Sequence, residues 1–294
     1  MKDATMGQGK GLFELLLQAE DPYVFTQNLI ERWGAVQLIG RGEVTQTQLF
    51  EALKHIETNP LGAQAPEGQL DIEEQVKLLR LVLFEALPDL KLDASQVEGD
   101  IAIARSWMKP GFSSLFCYVR TETLAAHFKI KKPWENFGVL TEKTLELLAT
   151  RRSFHNYRVG QMSNTRHRLL GTTKSAMQAA EAAQKGDIIV LPMQLGELYR
   201  GQSVDDSRKL IEMSGSQFCL PAFIVGQVLL ANPDLLVSRR DLFIDCPGDE
   251  YRFERHGRFG ESLCFKVNGG SLYCLLRWTV HAEGNFGSAS GFVR

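Results

Sequence analysis

Apolar residues in the first half of the chain recur at the spacing of amphipathic helices. The clearest helix begins at Asp71, whose side chain can cap it, and Glu74 follows three residues later. The apolar positions of this helix are spaced by three or four residues: Ile72, Val76, Leu79, Leu83 and Leu87. Pro88 ends the helix. Val82 and Phe84 widen the apolar stripe until little polar face remains. We therefore expect this helix to be central to its domain or covered by another protein.

Other local signals predict further helices and one strand in this half. Helices are predicted to begin at Asp21-Pro22 and at Thr45, where capping residues precede apolar positions at helical spacing. Thr141 is the predicted cap of a helix that runs to Ala149. The segment 112–119 is short, apolar and rich in aromatic side chains, which is typical of a strand.

The second half alternates between strand and helix patterns. A strand is predicted at 187–191 and is closed by Pro192. Helices are predicted at 175–184, 193–200 and 204–213, with a strongly apolar helix over 221–231. At 11 residues this last segment is shorter than the roughly 20 that a membrane-spanning helix needs, so it is predicted to be buried in the core.

A β-hairpin near the C-terminus is the strongest structural signal. Apolar residues alternate on both sides of Asn268-Gly269, a dipeptide typical of two-residue hairpin turns. This turn predicts that Leu263 pairs with Cys274 and that Phe265 pairs with Leu272. Cys264 then lies on the opposite face from Cys274. The predicted fold is therefore α+β, with a mainly helical first half and a mixed α/β second half that contains the hairpin.

The charge is unevenly distributed along the chain, although the formal net charge is only −2. Residues 1–150 are net acidic and residues 151–294 are net basic. Such an asymmetry often marks a domain division or a surface for a partner. We predict an acidic helical domain at 1–150, a basic connecting segment with a helix at 151–185, and a mixed α/β domain at 186–294.

The composition is that of a globular protein, with 44% hydrophobic and 23% charged residues. There are five cysteines, an odd number, and no two of them form a C-x-x-C pair. This usage favours reduced, buried thiols in a reducing compartment over a disulfide framework. No segment has the pattern of an export signal or a membrane-spanning helix. We therefore expect a cytoplasmic protein with no direct membrane insertion.

Candidate catalytic motifs are incomplete. The glycine- and lysine-containing stretches 7–11 and 171–175 lack the pattern of a phosphate-binding loop, and His281-Ala282-Glu283 lacks the downstream cysteines of a zinc deaminase. Acidic residues cluster in 241–250, where a turn capped by aspartates is the simplest interpretation. With Cys246 and His256 this cluster leaves open an enzyme with a dispersed active site. We assign no catalytic, cofactor-binding or metal-binding residue and expect no cofactor.

A basic segment over 151–174 contains no acidic residue. Its arginines are the candidate partner contacts: Arg151, Arg152, Arg158, Arg166 and Arg168. Phe154 and Tyr157 lie among them and could stack on bases, so a nucleic-acid-binding adaptor is an alternative. The sequence pI near 6.3 and the absence of a known nucleic-acid motif disfavour it, and an acidic protein surface is the preferred partner.

Three features of the chain resemble the DotZ family, small accessory proteins of the Dot/Icm type IV secretion coupling complex. They are the length with its acidic helical first half, the stretch 243–250, and the segments 276–278 and 286–292. The resemblance implies a non-enzymatic adaptor that helps to recruit effector proteins. Its partners would be other protein subunits, including a coupling ATPase and its adaptors. It would be held at the inner membrane through those partners, and no catalytic residue is implied.

Overall fold

The computed structural model describes residues 66–108, 114–253 and 257–293, which belong to one compact unit. The helices predicted to begin at Asp21-Pro22 and Thr45 lie outside the described residues. The described helices are α1 (Ile72–Ala86), α2 (Val97–Trp107), α3 (Thr121–His127), α4 (Phe137–Arg151), α5 (Gly171–Ala183), α6 (Val204–Ser214) and α7 (Ala222–Ala231). The described strands are β1 (Leu115–Val119), β2 (Phe154–Asn156), β3 (His167–Leu169), β4 (Ile188–Gln194), β5 (Gln217–Cys219), β6 (Phe243–Arg252), β7 (Phe259–Asn268), β8 (Ser271–Trp278), β9 (Phe286–Ser288) and β10 (Ser290–Phe292).

These elements form an α+β fold, with helices mostly in the first half and strands mostly in the second, which confirms the predicted class. One sheet has the strand order β1-β4-β10-β5 and the other has the order β2-β8-β7-β6-β3, with β9 also paired to β6. Strands from the segments predicted at 1–150, 151–185 and 186–294 pair with one another, since β1 pairs with β4 and β2 pairs with β8.

The first sheet corrects two predictions about residues 187–200. Strand β4 does not close at Pro192 but continues to Gln194, and the predicted helix over 193–200 is reduced to a 3₁₀ turn at Glu197–Tyr199. Pro192 lies opposite Leu115 of β1. The hydrogen bond between the two segments at this point is donated by the N–H of the next residue, Met193, to the carbonyl of Ser114 (3.2 Å). The ladder to β1 therefore does not need the N–H that proline lacks.

The hairpin of β7 and β8 has the predicted faces but a different register. Leu263 pairs with Leu276 and Phe265 pairs with Cys274, so the predicted partners are wrong by two residues. The turn is Gly269-Gly270, with φ of 60° and 77°, because two consecutive left-handed residues favour glycine at both positions. A shift of two keeps each side chain on its face, and Cys264 accordingly pairs with Leu275, away from Cys274.

The core is built around α7, in which every residue is buried. Helix α7 packs against α4, α1 and β1. Helix α1 confirms its sequence prediction, since Asp71 caps it by accepting a hydrogen bond from the N–H of Glu74 (2.8 Å). Its inner stripe joins the core through Ile72, Val76, Leu79, Val82 and Leu83.

Two helices begin earlier than their sequence signals predict. Helix α4 begins at Phe137, so Thr141 lies inside it and its hydroxyl donates to the carbonyl of Phe137 (3.0 Å) rather than capping the helix. Helix α5 begins at Gly171 rather than at residue 175. In both cases packing of the first turn against the core extends the helix beyond the local signal, since Phe137 and Thr173 are buried.

Candidate interaction surfaces and buried polar clusters

Two of the five candidate partner-contact arginines lie at the C-terminal end of α4. Arg151 forms an ion pair with Glu85 of α1 (2.5 Å). Arg152 donates hydrogen bonds to the carbonyls of Leu235 and Leu236 (2.9 and 2.8 Å). Both side chains therefore hold α4 to neighbouring segments of the same chain.

The other three candidate arginines lie in or beside β3. Arg158 and Arg166 belong to the segment between β2 and β3, and Arg168 belongs to β3, which pairs with the end of β6. Arg158 and Arg166 both donate to the side-chain carbonyl of Gln161 (3.4 and 3.3 Å). Arg168 donates to Glu250 (2.6 Å), and its guanidinium lies 3.9 Å from the ring centroid of Phe259. Each of the five candidates thus has a partner within the chain, so charge reversal there would disturb these internal contacts as well as any contact with a partner.

The carboxylates of the acidic segment 241–250 also have partners inside the chain. Asp245 forms a buried ion pair with Arg277 (2.5 Å). Asp249 accepts from the ring of His167 (2.8 Å) and from the N–H of Ala222 at the start of α7 (2.6 Å). Burial raises the pKa of Asp245 to about 7 although Arg277 opposes the shift. These groups connect β6 to α7, β3 and β8.

The five cysteines are free and buried. Burial raises the pKa of the Cys246 thiol well above its usual value, and the nearby Asp249 carboxylate raises it further. A nucleophilic thiol needs the opposite shift. His256, its candidate partner, lies outside the described residues. Within the described part of the chain, no group of three or more His, Cys, Asp or Glu side chains is arranged to hold a metal ion.

Two acidic side chains meet at the contact between α5 and the start of α3, where Glu181 is buried and Glu122 is exposed. Glu181 accepts hydrogen bonds from the hydroxyls of Thr121 (2.6 Å) and Tyr118 (3.3 Å). Burial, together with a hydrogen bond to the neighbouring carboxyl of Glu122, raises the pKa of Glu181 to about 8. Sequence reasoning missed this pair because its members are far apart in the chain and carry no motif.

An open groove runs between α1, α4 and the residues after α3. It has a volume of about 460 Å³, and its apolar lining is Val82, Ala86, Leu87, Phe128 and Leu147. Two ion pairs lie among its other lining residues, Arg151 with Glu85 and Lys143 with Glu146. On the same helix, Leu81 is 49% exposed and Phe84 is 69% exposed. The helix predicted to be apolar nearly all round therefore has a mainly charged outer face, in which Leu81 and Phe84 are the two exposed apolar side chains.

A second exposed surface lies on the outer face of the β2–β8–β7 sheet. Tyr273 stacks on His155 (centroids 4.9 Å apart, planes at 23°) and on Tyr157 (5.9 Å, 18°). A groove of about 490 Å³ adjoins the stack and is lined by Tyr157, Tyr273, Arg158, Lys266, Asn268 and two leucines. Phe154, which the sequence placed in the same aromatic surface, packs partly buried against the core.

Comparison with known proteins adds no relationship: no family model, no curated protein and no solved structure matches the chain. Among the described residues, no helix combines the length and the apolar character needed to cross a lipid bilayer.

Proposed function

We propose that this chain is a non-enzymatic subunit of a multiprotein assembly and that it binds a partner through α1. The observation that carries the proposal is the outer face of this helix, where Leu81 and Phe84 are exposed three residues apart. Residues three apart lie on one face of a helix, and the same helix lines the apolar groove through Val82 and Ala86. Large apolar side chains exposed on a helix that borders an apolar groove are typical anchors of a protein interface.

The chemistry of the groove favours an amphipathic helix of the partner as its occupant. Its apolar lining would receive side chains spaced at helical intervals, as in other helix-in-groove complexes. The charges beside it are already paired with each other, Arg151 with Glu85 and Lys143 with Glu146. Affinity would then come from burial of apolar surface rather than from charge.

The state of the chemically reactive groups supports a binding role over the enzyme alternative. Cys246 and the pair Asp249–His167 are buried, and the pKa of the thiol is raised rather than lowered. A catalytic nucleophile or base has to reach its substrate. The exposed rings, in contrast, are the groups that dominate protein interfaces.

The resemblance to the DotZ family gives the more specific form of the proposal. In that form the chain is a cytoplasmic adaptor, held at the inner membrane through a coupling ATPase and its adaptors, and it helps to recruit effector proteins for type IV secretion. Comparison with known proteins neither supports nor opposes this form, so it depends on identifying the partners.

Purification of the tagged full-length chain from its native host, followed by quantitative mass spectrometry, tests the proposal. We expect wild type to retain a fixed set of proteins and Phe84→Ser to lose them by about tenfold or more, since central aromatic anchors contribute at least about 2 kcal/mol. Val237→Ser is the matched control, because Val237 is also apolar and 51% exposed. Equal recovery by wild type and Phe84→Ser would contradict the proposed surface, and a chain that purifies alone would contradict the assembly role. The secretion form requires the coupling ATPase or its adaptors among the proteins lost.

A further inference from the structure

The aromatic stack on the outer face of the second sheet is independent of the α1 surface. His155 and Tyr157 are two residues apart and therefore point to the same side of the chain at β2. The parallel pairing of β2 with β8 places His155 opposite Tyr273 and brings Tyr157 beside the same ring. Tyr157 is 61% exposed and His155 is also exposed. The stack therefore presents ring surface to solvent rather than filling the core.

Positive charge borders this stack. Lys266 lies directly opposite Tyr273 in the β7–β8 ladder and lines the groove with Arg158. Arg239 is exposed and donates to the side chain of Asn268, which lines the same groove. No acidic side chain is among the described residues that line this groove. In contrast to the α1 groove, where the charges pair with one another, this surface presents an excess of cations.

Exposed rings interleaved with cations match the chemistry of unpaired nucleotides. Bases in a single strand offer free ring faces for stacking, and the phosphates between them are neutralised by Lys and Arg. A duplex hides its base faces and would use only the cations. The groove volume of about 490 Å³ falls within the range of pockets that hold small ligands, so it can receive one base with its sugar and phosphate.

We propose that the outer face of the β2–β8–β7 sheet binds single-stranded nucleic acid, with a base stacked on the exposed ring of Tyr157, which Tyr273 supports from behind, and phosphates at Arg158 and Lys266. This surface overlaps the basic segment 151–174 only in part, through His155, Tyr157 and Arg158. Phe154 is turned to the core, whereas Tyr273 and Lys266 come from the hairpin.

Fluorescence anisotropy of the full chain with labelled oligo-dT and oligo-U of about 12 nucleotides tests this proposal. At about 50 mM salt we expect binding that Tyr157→Ala weakens by about tenfold, because stacking contributes about 1–3 kcal/mol per base. Tyr157→Phe keeps the ring and should bind within about twofold of wild type. Lys266→Gln should reduce the slope of log affinity against log salt by about 0.7.

Phe84→Ala and Lys77→Gln serve as matched controls on α1, and we expect neither to change oligonucleotide binding. Tyr157→Ala should fold normally because its side chain is largely exposed. Failure of both oligonucleotides to bind at about 100 µM protein would overturn the proposal, since weak non-specific binding already lies near that range. Binding that Tyr157→Ala leaves unchanged, or that a duplex of equal length matches, would overturn it as well. A result in which Tyr157→Ala removes a protein from the host assembly and not the oligonucleotide would assign the surface to a peptide instead.

Discussion

The interior and the surface of this unit hold different kinds of functional side chain. Inside, the groups that could take part in catalysis have partners within the chain: Asp245 with Arg277, Asp249 with His167, and Glu181 with Thr121. Outside, Phe84 and Tyr157 present aromatic rings to solvent beside open grooves. In the described part of the chain, the buried polar groups are bonded to neighbouring elements of the fold, whereas the exposed rings are suited to binding.

The buried ion pair between Asp245 and Arg277 should give the largest effect on stability. Asp245→Ala leaves the Arg277 guanidinium buried without its carboxylate, and we expect a loss of about 3 kcal/mol in the free energy of unfolding. Glu73→Ala is the matched control, since Glu73 pairs with Arg105 at 3.7 Å with both side chains more than half exposed. It should cost less than about 0.5 kcal/mol. Urea unfolding measures both, and equal losses would remove the distinction between interior and surface.

The buried carboxyl of Glu181 should make stability depend on pH. Its folded pKa of about 8 lies above the ordinary value of 4.5, so the folded state keeps a proton that the unfolded state has released. Stability contributed by this group therefore falls as the pH rises from about 4.5 to 8, by up to about 1.4 kcal/mol per unit. Glu181→Gln cannot titrate and should remove this fall.

We expect the stability of Glu181→Gln relative to wild type to rise between pH 5 and pH 8 by up to about 4 kcal/mol. The amide oxygen can still accept from the hydroxyls of Thr121 and Tyr118. The difference between the two proteins is the quantity to follow, because Asp245, with a pKa of about 7, adds its own pH dependence to both. A difference that does not grow between pH 5 and pH 8 would show that Glu181 titrates normally.

Local sequence signals correctly predicted the features that depend only on neighbouring residues in the chain. The cap at Asp71 and the stop at Pro88 bound α1 within two residues, and the period-two alternation gave the correct faces of the β7–β8 hairpin. The register was wrong because Asn268-Gly269 and Gly269-Gly270 both suit a two-residue turn, and either choice keeps the same side chains inside. Strand β4 continued past Pro192 because β1 and β10 pair with it there, which no local pattern contains.

The two candidate binding surfaces were only partly predictable, because contacts between residues distant in the chain leave no local pattern. The exposure of Leu81 and Phe84 follows from the excess of apolar positions in α1, which the sequence already shows. The stack of Tyr157 on Tyr273 requires β2 to pair in parallel with a strand more than a hundred residues later. The arginines of 151–174 are abundant in sequence, yet the structure ties each candidate to a partner within the chain.

Site-specific photocrosslinking from position 84 is the most direct test of the claim that the α1 surface binds a partner. A benzophenone side chain would replace Phe84 in the tagged full-length chain in its native host, with position 237 as the exposed apolar control. We expect position 84 to crosslink to one partner protein, within a segment whose apolar residues recur at helical spacing, and position 237 to give no such product. The account is contradicted if position 84 yields no protein crosslink, or if both positions yield the same products.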